Sequence, residues 1–144
     1  MARHPIYRYF QLHEFDCPSK KGSGNKMKVS FLKKLDKARM FAEEMANGKV
    51  KFTINSGFRT PEHNRELYEK LIAEGKAEKV IASPHCYGEA ADIKYTNSRE
   101  AFVIMSSLIR AGFTRIGFGN GFIHVDSGYS GNMKMQQLMW NYYD

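Results

Sequence analysis

Residues 83–95 read SPHCYGEAADIKY and crowd a histidine, a cysteine, a glycine, two acids and a tyrosine into one short stretch. His85 and Asp92 lie seven apart with Gly88 between them, and glycine permits a sharp backbone turn ahead of a strand. A second histidine, His124, stands in GFIHVDSG (121–128). Two imidazoles and one carboxylate make a ligand set for catalytic zinc, with the fourth position open to water. Spacing alone leaves a second reading in place. The chain has five histidines, and an isolated histidine also serves as a hydrogen-bonded structural group. Asp126 follows His124 by two residues, so the two share a strand face.

The elements that must carry these residues follow from periodicity. Residues 27–47 place Phe31, Leu32, Leu35, Ala38, Ala42 and Met45 on one helical face, and Gly48 marks the stop. VKFTINS (50–56) alternates Val50, Phe52 and Ile54 and predicts a strand. TPEHNRELYEKLIAEG (60–75) predicts a helix with Thr60 as N-cap and Pro61 in its first turn. EAADIKY (89–95) predicts a short strand, and residues 98–112 a helix from N-cap Ser98 to Gly112. TRIGF and FIHVDS flank Gly119-Asn120-Gly121, a hairpin turn. The aromatics and methionines of MKMQQLMWNYYD (133–144) suit the flank of a binding cleft, but packing of a terminal helix is the simpler reading and the one expected. The fold class is α+β: one domain over residues 1–144, with 1–26 as lead-in segment and loop, and a mixed, mostly antiparallel sheet with helices packed on it.

Composition narrows the function. An apolar fraction of 42% suits a globular core, and no apolar run is long enough to span a bilayer. MARHPIYRYF lacks the apolar core of a secretory signal, so synthesis in a cytoplasm is expected. Cys17 and Cys86 are expected to be free thiols. The formal net charge of +7 suits an anionic partner: nucleic acid, acidic lipid or an anionic cell wall. The basic residues are scattered, and the densest run, KKGSGNKMK (20–28), reads as a solvated loop. No nucleic-acid module signature is present.

In order along the chain, SGFRTPEHN (56–64), SPHCYGEAADI (83–93) and GFIHVDSG (121–128) resemble the zinc peptidases that cut peptidoglycan stem peptides. This is the D-Ala-D-Ala carboxypeptidase and L-Ala-D-Glu endopeptidase family, whose metal-site fold is shared with the hedgehog signalling domain. YFQLHEFDCPSKKGSGNKM (9–27) is similar to the lead-in of small, often phage-encoded members. The resemblance implies one zinc held by His85, Asp92 and His124, with Arg59 and Ser83 beside the substrate. An arginine there would share the charge that builds on a tetrahedral oxygen, or grip a substrate carboxylate. Many relatives carry an acidic general base three residues before the last histidine ligand, where this chain has Gly121. Another branch has HVD, as here, which leaves Asp126 as either the base or the residue that steadies a ligand imidazole. Glu89 is the reserve base and otherwise a solvated acid.

The implied activity is hydrolysis of a stem-peptide bond by a monomer that reaches the wall after lysis or from a virion. A zinc-containing binding module without catalysis is the alternative, and a basic nucleic-acid-binding domain is a third reading. Cys86 is expected to face away from its neighbour His85, and His63 to serve packing or capping. His4 and His13 have no evident partners, while Tyr87 and Tyr129 are placed to line a cleft.

Overall fold

Side-chain alternation along two central strands divides the molecule into a greasy face and a chemical one. The computed structural model describes residues 6–128 and 136–142. Its sheet has five strands: β1 (Thr53–Ser56), β2 (Ala90–Lys94), β3 (Arg115–Phe118), β4 (Phe122–Asp126) and β5 (Leu138–Asn141), in the order β1-β2-β4-β3-β5. All neighbours are antiparallel except β3 and β5, which run parallel, so the sheet is mixed as expected. Ala91, Ile93, Ile116, Ile123 and Val125 point to one face and are buried there. Against them pack α1 (Val29–Ala46), through Phe31, Leu32, Leu35, Ala38 and Ala42, and α3 (Ser98–Arg110), through Ala101, Ile104 and Leu108. Asp92, His124 and Asp126 alternate with these residues and project to the other face.

The predicted ends move by one to three residues. Helix α1 closes on Asn47, whose left-handed φ of 54° does the work expected of Gly48. Asn97 rather than Ser98 caps α3, accepting from the Glu100 N–H. The third helix, α2 (Pro61–Ala73), starts as expected, with the Thr60 hydroxyl accepting from His63 N–H and Pro61 next. Strand β1 begins at Thr53, and Val50 and Phe52 pack ahead of it. The β3–β4 hairpin turns over residues 119–121, with Gly121 at φ 82°.

Two expectations change. The lysines of KKGSGNKMK are exposed, but its backbone is tied down rather than loose. Asp16 accepts from Gly22 and Gly24 N–H, Ser23 Oγ accepts from Cys17 N–H, and a Cβ on Gly24 would meet the Leu12 carbonyl at 1.9 Å. The lead-in thereby delivers Tyr7, Phe10 and Phe15 into the core against Phe52. The second correction is at the C-terminus. Residues 138–141 form strand β5, not a helix, because the free edge of β3 offers unpaired backbone groups that a strand can satisfy.

Candidate metal centre

One ladder of register pairs crosses the whole sheet: Ser56 faces Asp92, Asp92 faces His124, His124 faces Gly117, and Gly117 faces Trp140. The antiparallel pairing of β2 and β4 is thus what brings Asp92 and His124 together from 32 residues apart. His85 arrives from outside the sheet, on a 3-10 turn over Pro84–Tyr87. Ser83 caps that turn by accepting from His85 N–H, and Gly88 ends it with φ 70°. Gly88 has a second duty, since a Cβ there would meet the Lys26 carbonyl at 2.3 Å.

The three sequence-predicted ligands converge. Their donor atoms lie within 4.8 Å of one another, and the imidazole centroids are 5.2 Å apart. Each imidazole is oriented through one nitrogen. His85 Nδ1 lies 2.8 Å from the Gly57 carbonyl, which only accepts, so Nδ1 carries a proton and Nε2 presents its lone pair. Nε2 points toward Asp92 Oδ1, 3.4 Å away. His124 Nε2 lies 2.7 Å from Asp126 Oδ2, and its Nδ1 lies 2.9 Å from Asp92 Oδ1. A carbonyl or carboxylate behind each ligand imidazole is the arrangement that fixes tautomer and ring orientation at metal sites. This chain's residues therefore fit a divalent cation through His85 Nε2, Asp92 and His124 Nδ1.

Electrostatics follow the same contacts. Burial raises the cost of ionising Asp92, but the hydrogen bond and charge of His124, with a further contribution from the nearby His85, outweigh it and hold the carboxyl well below the usual range. Burial would lower His124, yet its hydrogen bonds to Asp126 and Asp92 push it up to about 8. Asp126 is 1% exposed and is held low against burial by His124, by Arg115 and by the Gly128 N–H. Its Oδ1 accepts from Arg115 Nε at 2.6 Å and from Gly128 N–H at 2.8 Å. Both carboxylate oxygens of Asp126 are thus engaged.

The centre forms the floor of a pocket of about 290 Å³. Arg59 and Ser83 line it, so both expected substrate-side residues are brought to the ligands. Arg59 Nη1 donates to Asn64 Oδ1 at 3.1 Å, and its backbone N–H donates to the His85 carbonyl. Asn64 is buried and braced in turn by donating to the Ile81 carbonyl. The opposite wall is Trp140 and Tyr142, on alternate positions at the end of the chain. The Trp140 ring lies 5.6 Å from that of His124, and Arg115 stacks over the same indole at 5.5 Å. Gly117 makes this wall possible. A Cβ there would meet Trp140 Nε1 at 2.5 Å and Tyr142 Cε2 at 2.8 Å.

Sequence reasoning missed Asn64 and Arg115, and it set a cleft role for Trp140 and Tyr142 below packing of a terminal helix. Asn64 lies in SGFRTPEHN itself, and Trp140 and Tyr142 show a period-two spacing that a strand reading would have caught. Glu89 is not the solvated acid expected. It is 8% exposed, its Oε2 has no hydrogen-bond partner among the described residues, and it does not line the pocket. Cys86 does face away, toward Pro61 and Asn64, and both cysteines are free. Tyr87 sits with Cys86 rather than over the ligands. Tyr129 and His4 lie outside the described residues.

A family model for peptidase M15 matches residues 8–126, which covers the first two motifs, the third as far as Asp126, and every expected ligand. No match was found among the curated proteins, nor among the solved structures. With most of its length under that match, the chain belongs to the M15 peptidases, the zinc D-Ala-D-Ala carboxypeptidase-like family.

Proposed function

We propose that this protein is a zinc peptidase that hydrolyses peptide bonds in peptidoglycan stem peptides, as a carboxypeptidase or as an endolysin-type endopeptidase. The observation that carries the reading is the convergence of His85, Asp92 and His124 on one pocket floor with Arg59 on its rim. Zinc held there supplies Lewis acidity, activating water and polarising a scissile carbonyl.

The chain's own residues do the rest. Asp126 Oδ2 keeps the proton on His124 Nε2, which reserves Nδ1 for the metal. Arg115 and Gly128 hold Asp126 in place for that task. Arg59 is positioned by Asn64 to receive a substrate carboxylate or the charge that develops on the carbonyl oxygen. Ser83 holds the turn that carries His85, and its hydroxyl lines the pocket where a peptide would lie. Trp140 and Tyr142 form the far side of the pocket, where a peptide would lie against their rings.

The test is incubation of the zinc-loaded protein with purified cell walls, followed by mass spectrometry of the released fragments. Fragments ending at a stem-peptide bond are expected, and their ends name the bond. One observation favours a second reading, a zinc-containing wall-binding module without catalysis. Gly121 has no acid, and both oxygens of Asp126 are occupied. Wall binding with no fragment released would establish that reading instead.

A further inference from the structure

The metal centre leaves the strong positive charge of the chain unexplained. Away from the centre lies a larger groove, of about 410 Å³, between the end of α1, the β1–β2 edge and the start of α3. Lys49 and Lys51 reach it from the segment after α1, Lys94 from the end of β2, and Arg99 from the first turn of α3. All four are exposed, and among the described residues none of them pairs with a carboxylate. The single acid in the lining, Glu100, is already bound by the Thr96 hydroxyl and the Asn97 amide. Four cations against one acid leave three positive charges around the groove.

Arg99 makes the cluster hard to explain as solvation alone. It sits in the first turn of α3, where the helix field disfavours a cation. Four unpaired like charges around one concavity also repel each other. A bound polyanion relieves both costs.

The groove's chemistry selects among polyanions. Its apolar floor is aliphatic, from Val50, Val103 and Ile104, and no aromatic ring lines it. Nucleic-acid bases would find no stacking platform there. Lysine ammonium groups act as point charges and suit a flexible chain of phosphodiesters. Lys94 stands two residues along β2 from Asp92, roughly 7 Å on the same strand face.

We propose that this groove binds a polyphosphodiester of the kind carried by anionic cell-wall polymers, and so tethers the protein beside its substrate. The choice of polymer rests on the wall-peptidase reading, whereas the groove's anion binding does not. Four phosphate contacts on a single-stranded polyanion give a slope of log affinity against log salt of about −3, or a loss of roughly 50-fold from 50 to 200 mM salt.

The experiment measures binding of the full chain to fluorescent poly(glycerol phosphate) across that salt range. Lys49→Gln/Lys94→Gln/Arg99→Gln is expected to lose at least about 10-fold in affinity at low salt and to reduce the slope by about 2. Lys20→Gln/Lys33→Gln/Lys79→Gln, with the same change in net charge elsewhere, is expected to bind like the unmodified protein. Equal losses in the two triple variants would overturn the groove and leave net charge as the cause. Tighter binding of an oligothymidylate of equal charge would overturn the choice of polymer. Peptide release is read in parallel. The groove variant is expected to cut a soluble stem peptide normally and intact walls more slowly. A protein that binds the polymer through the groove but cuts nothing would sink the peptidase reading alone.

Discussion

Replacing Asp126 with asparagine separates the two roles open to that carboxylate. Asp126 is 1% exposed and accepts three hydrogen bonds, from His124 Nε2, Arg115 Nε and Gly128 N–H. Asparagine offers one acceptor oxygen and a donating amide, so three donors cannot all be satisfied. If its oxygen keeps Arg115 and Gly128, its amide faces His124 and drives the imidazole proton to Nδ1, the atom the metal needs. Loss of such an orienting partner costs about 10–100-fold in metal affinity, or roughly 1.4–2.7 kcal/mol. If the oxygen instead keeps His124, the mostly buried Arg115 loses its acceptor at residue 126 as well as the charge that asparagine removes, and breaking such a pair costs about 3–5 kcal/mol of stability. The assays are zinc affinity by competition with a chromophoric chelator, thermal melting, and peptide release at low and saturating zinc. The expected outcome is weakened zinc binding with most of the rate restored by excess metal. Unchanged zinc affinity with a rate loss of about 10²–10⁴-fold would refute the positioning role and make Asp126 the general base.

Four further outcomes test the site. Metal analysis is expected to find about one zinc per chain, His85→Ala and His124→Ala are each expected to abolish it, and unchanged stoichiometry in either removes that ligand. Arg59→Ala is expected to slow turnover by about 10²-fold or more with zinc content and melting temperature nearly unchanged. A stability loss in proportion to the activity loss would make it structural. Gly117→Ala forces Trp140 and Tyr142 off the strand, so KM is expected to rise by about 10-fold with zinc bound normally, at a cost of about 1–3 kcal/mol. Unchanged KM would show that the aromatic wall does not touch substrate. In chelator-treated protein, His124 titrates near 8 when folded and near 6.5 when unfolded, so its contribution is complete below about pH 6.5. That contribution, about 2 kcal/mol, is lost as pH rises through 8, while the depressed Asp92 and Asp126 withdraw theirs as pH falls below about 4. A melting temperature that climbs between pH 6.5 and 8.5 would contradict the ion triad.

The legible parts of this sequence were those specified locally. Thr60-Pro61 announces a helix start, Gly88 a sharp turn, and the alternation of His124 and Asp126 a shared strand face. Ladder register was not legible. Nothing in ADIKY or FIHVD states that Asp92 pairs with His124 rather than with a residue two positions away. The motif order along the chain stood in for that information, because each motif supplies one side of the same pocket. The C-terminal strand failed for a related reason. QQLMWN carries both helical and strand signals, and the choice is made by the free edge of β3, a partner more than twenty residues earlier.

Gly117 shows how much chemistry a residue without a side chain can specify. It occupies the register position between His124 and Trp140, where any Cβ would collide with the indole. Its absence of bulk lets a terminal strand lay an aromatic wall beside the ligands, and it lets Arg115, two residues earlier, reach Asp126 beneath the same indole. From the sequence alone, the G in TRIGF is only a weak point in a strand. Its meaning appears once both neighbouring strands are in place: β4 supplies the candidate ligand His124, β5 supplies the wall, and β3 between them supplies the room.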